Sequence, residues 1–186
     1  MAFITSGATV VSYAEASDVR DKDQRVFEAN EINIADAPNF PATVDEYIED
    51  LTTKSTARIN EKIRASARWR EYLGYTGASY STLNDIPAFN PSRIKSRQSD
   101  FTDMCAYYTL KEYILPKVAD FGNPESPEVQ KITYYTNKFN DLLNELMAMM
   151  DWYDLDGDGS VNPDEVMIRF SNTRRSRSRK PVVRVR

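Results

Sequence analysis

Ile132, Tyr135, Phe139, Leu142, Leu146 and Met149 follow one another at alternating steps of three and four residues. That is the period of an α-helix burying one face, and no strand can satisfy it. The run opens at Pro127, a residue suited to the first helical position, and is expected to continue to about Trp152. Leu143, Met147 and Met150 widen the stripe, which places this helix at the centre of a bundle with its methionines as core filler. A helix with so broad an apolar face is stable only against partners, so the rest of the chain must supply them.

Two other segments have the required pattern. Thr43 and Glu46 form a capping box just after Pro41, and Val44, Tyr47, Ile48, Leu51, Ile59 and Ile63 carry a stripe toward Trp69, predicting one long helix. A second is expected from near Ser92, with Phe101, Met104, Cys105, Tyr108 and Leu115 on one face until Pro116 disturbs it. Arg93, Lys95 and Arg97 would lie in its first turns and oppose the helix dipole, which points either to an external anionic partner or to a solvated face. Gly74, Gly77, Pro87 and Pro91 mark a long loop between these helices, and Gly122, Pro124 and Pro127 mark the next turn. The expected fold is mainly α: an antiparallel bundle of three long helices with short helices, an extended N-terminal arm, an EF-hand-type loop and a basic tail. Its parts are an arm over 1–40, with Thr9 to Tyr13 extended and Asp18 to Ala29 a short helix, a bundle over 41–153, a loop and short exit helix over 154–170, and a tail over 171–186.

Composition narrows the chemistry. The 186 residues include no histidine, which excludes Ser-His-Asp, Cys-His and HExxH catalysis, and no glycine-rich phosphate loop or G-x-S-x-G elbow is present. A non-enzymatic role is expected. No apolar run approaches the roughly 18 residues that span a bilayer, and the N-terminus lacks the pattern of a signal peptide, so a soluble protein made inside a cell is expected. The one cysteine, Cys105, lies in a helical apolar pattern and is expected to be a buried core thiol.

The sharpest motif is Asp154-Leu-Asp-Gly-Asp-Gly-Ser-Val-Asn-Pro-Asp-Glu165, which matches the calcium-binding loop D-x-D-x-D-G-x5-E at each ligand position. Asp154, Asp156 and Asp158 would supply carboxylate oxygens at positions 1, 3 and 5, Ser160 its backbone carbonyl at 7, Asn162 an oxygen at 9 directly or through water, and Glu165 two oxygens at 12. Gly159 at position 6 allows the sharp turn, and Val161 is expected to point inward. Oxygen-only ligands favour calcium over zinc, and the large loop favours it over magnesium. Mutual repulsion of the carboxylates should leave the loop open or disordered without an ion and locked with one. No second loop of this kind follows, so a structural staple fits better than a paired sensor.

Charge is divided unevenly. Residues 171–186 hold six arginines and one lysine with no acid, and removing that +7 from the net −4 leaves −11 for the rest. Arg174, Arg175, Arg177, Arg179 and Lys180 suit an interaction arm, and Val182, Val183, Arg184, Val185 and Arg186 could add to another protein as an edge strand. A nucleic-acid arm is a second reading, but no aromatic residues interleave with the cations and the acidic body would repel a polyanion.

The stretches Val11-Ser-Tyr-Ala-Glu-Ala-Ser-Asp-Val-Arg20, Arg25-Val-Phe-Glu-Ala-Asn-Glu31 and Thr43 to Arg70 ending in Ala67-Arg-Trp-Arg70, with the two later helices, resemble the head–tail adaptor (connector) proteins of tailed bacteriophages. That resemblance implies a ring, commonly a dodecamer, in the virion neck, assembled from protein made in the host cytoplasm. It also implies a C-terminal arm, Arg174 to Arg186, gripping the portal protein, a downstream neck or tail protein as second partner, no membrane contact, and a channel through which DNA passes without specific binding. The calcium loop lies outside the family pattern. The main alternative is a soluble, bacterial-type, calcium-responsive EF-hand binding protein.

Overall fold

The computed structural model describes residues 3–28, 43–74, 82, 89–123 and 125–162, and over these the chain is mainly helical with a small two-stranded sheet. Strands β1 (Ile4–Ser6) and β2 (Thr9–Ser12) pair antiparallel, with Gly7 at φ +62° in the turn between them. Helices α1 (Ala16–Lys22) and α2 (Gln24–Glu28) follow, then α3 (Val44–Ala65), α4 (Ala67–Gly74), α5 (Gln98–Thr109), α6 (Leu115–Val118) and α7 (Pro127–Met149).

Residues 3–28 of the expected arm are not extended from the body but packed into it. Tyr13 is buried, its backbone N–H donates to Thr56 Oγ1 at 3.1 Å, and its carbonyl accepts from Thr102 Oγ1 at 2.8 Å, which fastens the hairpin to α3 and α5 together. Val19 and Val26 are buried against Ile48, Leu51 and Leu110. The expected Asp18–Ala29 helix is two helices, because Asp23 leaves helical geometry between them; its buried carboxylate takes Lys131 Nζ at 2.8 Å and so ties α1 and α2 to α7.

Helix α3 starts where the capping box placed it, with Thr43 Oγ1 accepting from the Glu46 N–H. It does not run unbroken to Trp69. Ser66 leaves helical geometry, and its hydroxyl donates to the Ile63 carbonyl and accepts from the Trp69 N–H, so one side chain closes α3 and caps α4. That break turns Trp69 into the core, where it is 2% exposed.

The second expected helix starts later than Ser92. Pro91–Arg93 is a single 3-10 turn capped by Asn90, Ile94 bridges to Tyr153, and α5 opens only at Gln98. Its far end behaves as Pro116 requires. A proline has no N–H and its ring crowds the carbonyl four residues back; the chain answers with a π-helical turn over Leu110–Ile114, in which the Leu115 N–H reaches the Leu110 carbonyl, before α6 continues.

Helix α5, rather than α7, takes the central place. It buries Phe101, Thr102, Met104, Cys105, Ala106, Tyr108 and Thr109, whereas α7 buries Tyr135, Phe139, Leu146 and Met147 and leaves Tyr134 and Met149 about half exposed. Contacts set the directions: the early part of α3 (Tyr47, Ile48, Leu51) meets Leu110 and Ile114, and its later part (Ile59, Ile63) shares a cluster with Phe101 and Met104. Likewise Tyr135 stacks on Tyr107, whereas Leu146 and Met147 lie with Phe101.

Cys105 is fully buried between α3 and α5, close to Thr56 Oγ1 and the Thr52 carbonyl, and burial pushes its thiol up to about 11. A thiol-specific chromogenic reagent at pH 8 is expected to label it only after denaturant is added; rapid labelling of the native protein would show the α3–α5 seam to be open. Because the folded pKa is raised, this group favours the fold fully below the unfolded value of about 8.5, and its contribution falls as pH rises from there toward 11.

Candidate metal site

Helix α7 ends at Met149. Met150 takes the left-handed conformation at φ 53°, its N–H returns to the Leu146 carbonyl, and the chain doubles back so that Trp152 lies outside the helix with its indole Nε1 donating to the same carbonyl at 2.8 Å. Trp152 and Tyr153 then join Trp69, Tyr72 and Phe89 in an aromatic cluster, with Trp69 and Trp152 stacked at 6.4 Å.

The segment leading to the acidic loop runs antiparallel to residues 93–96. Lys95 N–H donates to the Trp152 carbonyl, Asp154 N–H to the Arg93 carbonyl, Ser96 Oγ to the Asp151 carbonyl, and Tyr72 Oη to the Tyr153 carbonyl, all at 2.7–3.0 Å. The three cations expected in the first turns of a helix therefore lie elsewhere. Arg93 points at the loop, donating from Nη1 to the Leu155 carbonyl at 2.8 Å, and Arg97, in left-handed geometry just before α5, pairs with Glu145 at 2.6 Å and Asp100 at 3.3 Å. Lys95 is held through its backbone to Trp152. Arg93 and Arg97 thus have internal anionic or carbonyl partners, and the external anion is not needed to explain them.

Within the loop, Asp154 is 1% exposed and its carboxylate accepts the N–H groups of Gly157 at 2.6 Å and Gly159 at 2.9 Å. Both glycines have positive φ, +85° and +99°, which lets the backbone fold over the carboxylate. Asp156 accepts the Asp158 N–H at 3.0 Å. Asp158 accepts the Ser160 N–H and hydroxyl, each at 2.9 Å, and the Asn162 amide at 2.8 Å. The Ser160 N–H first, then the Asn162 amide and Ser160 hydroxyl, hold the Asp158 carboxyl below its ordinary value, so it stays ionised at pH values where a free aspartate begins to protonate. Val161 is half-buried, in keeping with an inward lean.

One carboxylate oxygen each from Asp154, Asp156 and Asp158 lies within 4.8 Å of the other two. Three carboxylate oxygens grouped this closely could hold a metal ion between them. Among the described residues this is the acidic group that could hold a metal ion. Ser160 and Asn162 stand beside it, joined through their side chains to Asp158. Glu165, the exit helix and the tail residues Arg174, Arg175, Arg177, Arg179, Lys180, Val182, Val183, Arg184, Val185 and Arg186 lie outside the described residues. Arg93 was missed by sequence reasoning: it is 62 residues from its partner Leu155, and no spacing rule joins them.

Fold and loop together define a mainly helical protein carrying an aspartate cluster able to hold a metal ion, and no described helix is long and apolar enough to cross a membrane. No family model, curated protein or solved structure matches the chain.

Proposed function

We propose that this protein is a non-enzymatic assembly component of the phage head–tail adaptor type, a ring-forming neck protein whose antiparallel helical bundle carries a calcium-stapled C-terminal arm. The observation that carries this reading is where the resembling stretches lie: Tyr13, Val19, Val26, Ile48 and Trp69, all within them, are buried core positions. They fall in two buried clusters that α3 and α5 both enter, and the resemblance of those stretches to the adaptor family would carry its assembly role with it. The net −11 of residues 1–170 suits a channel wall past which DNA slides without sticking. Arg174 to Arg186 would dock on the portal protein, and a downstream neck or tail protein would meet the other face of the ring.

Calcium is the expected ion. Asp154, Asp156, Asp158, Ser160, Asn162 and Glu165 would hold it, and the ion would supply charge neutralisation and fix the direction in which the arm leaves the body. The loop entrance is anchored to α4 and to the strap before α5, so an ion closing the exit side would orient the arm against a rigid base.

Tagged full-length protein and a 1–170 truncation, each incubated in lysate of the source system with calcium or with chelator, test the proposal. A portal-like ring protein recovered by the full-length chain and lost on truncation is the expected result, with calcium strengthening recovery. Partners captured only with calcium and equally by the truncation would replace the adaptor reading with a calcium-responsive binder.

A further inference from the structure

Arg93 touches the aspartate loop in three places. Its carbonyl accepts the Asp154 N–H at 2.9 Å, its Nη1 donates to the Leu155 carbonyl at 2.8 Å, and its Nη2 lies 3.0 Å from the point where a Cβ on Gly157 would stand. Loop positions 1, 2 and 4 are thereby registered against one side chain and its own backbone. That backbone is itself fixed, since Asn90 caps the turn Pro91–Arg93 and Ile94, 2% exposed, bridges to Tyr153.

Two physical effects of such a cation oppose each other. A guanidinium near the carboxylates repels an incoming cation, whereas a loop already tied to the core loses less conformational entropy when it wraps an ion. The bond pattern decides between them. The Nη1 donor goes to a backbone carbonyl rather than to a carboxylate, and Asp156 and Asp158 face solvent, which screens the repulsion. Gly157 supplies the complementary half of the contact, because a side chain at φ +85° would be strained and would push the guanidinium back by a few tenths of an ångström.

We infer that Arg93 is the positioning residue of the metal loop: not a ligand, it sets calcium affinity by holding the first loop positions where the three carboxylates converge. This rests on the calcium reading above. Outer contacts of this kind typically change metal affinity 10–100-fold.

The test is isothermal titration of the full-length chain with calcium alone, for wild type, Arg93→Met and Arg93→Lys, with release rates measured by mixing with chelator and thermal unfolding measured in chelator. Arg93→Met keeps most of the stem and loses the fork; about 10–100-fold weaker binding and faster release are expected. Arg93→Lys keeps the charge but not the planar fork, and weaker binding is expected there as well. Wild-type affinity and release in a folded Arg93→Met protein, even with a lowered Tm, would reduce Arg93 to a structural role and overturn the inference, and so would tighter binding, which would mean that repulsion dominates. Should Arg93→Met fail to fold by circular dichroism, Arg93→Lys is judged by the same outcomes. A wild-type chain that binds no calcium overturns the metal reading and this inference together, whereas calcium-binding wild type with unaffected variants overturns the inference alone.

Discussion

Asp154→Ala is expected to abolish calcium binding and, with it, the thermal stabilisation that calcium gives the wild-type chain. Asp154 stands at the first position of the proposed calcium loop and is the buried acceptor for the N–H groups of Gly157 and Gly159, so its loss would remove a ligand charge and leave two donors without their carboxylate. Both glycines are exposed, so water can take up the freed N–H groups; only the net worth of the two bonds is lost, and a modestly lower Tm is expected even in chelator. For the wild type, calcium at 100 times its Kd should add about 2.7 kcal/mol to the unfolding free energy, because the ion binds the folded loop and not the unfolded chain. Asp156→Asn provides the control: that side chain is exposed and its amide oxygen can still accept the Asp158 N–H, so calcium binding should weaken with little change of Tm in chelator. Calorimetric scans of the three proteins with calcium and with chelator decide the matter. An undiminished calcium-induced rise in Asp154→Ala would show that the ion binds elsewhere.

Trp152→Ala is expected to cost about 3–5 kcal/mol, the usual range for deleting a large buried aromatic side chain. Trp152 is 0% exposed, stacks on Trp69, packs edge-on to Phe101 at 4.9 Å, and bonds the Leu146 carbonyl through its indole N–H. It fills the junction of α4, α5 and α7 directly before the loop. Its removal should therefore loosen the entrance to the metal site as well as the core, and calcium affinity should fall together with stability. Trp152→Phe, which keeps a ring but drops the N–H, should cost less. Urea denaturation monitored by far-ultraviolet circular dichroism measures both. A Trp152→Ala protein as stable as wild type would mean that α7 and the loop are joined by something other than this side chain.

Much of the fold is legible in local pattern because its signals are local. The Thr43 N-cap, the start of α7 at Pro127 and the disturbance around Pro116 each depend on residues within one or two turns, and each lies where the pattern places it. The aspartate loop is legible for the same reason: its carboxylates are spaced along a single turn of chain, and its glycines are fixed by backbone geometry. What periodicity cannot express is which apolar face meets which. The broad stripe of α7 reads as a central helix, but α5 takes that place because it buries a larger share of its residues, packing against α1, α3 and α7. The hairpin over residues 4–12 has too little apolar surface to suggest a core position, and only Thr56 and Thr102, far along the chain, give Tyr13 its hydrogen bonds.

By itself, then, the sequence determined the helical class, the caps, the proline-induced irregularity and the geometry of the acidic loop, since these arise from interactions within a few residues. Tertiary structure alone decided that α5 is central, that Ser66 turns Trp69 inward, and that Arg93 and the 93–96 strap hold the loop against the aromatic cluster. Those outcomes depend on side chains separated by tens of residues competing for the same buried volume and the same unpaired carbonyls, and only the assembled core fixes which of them meet.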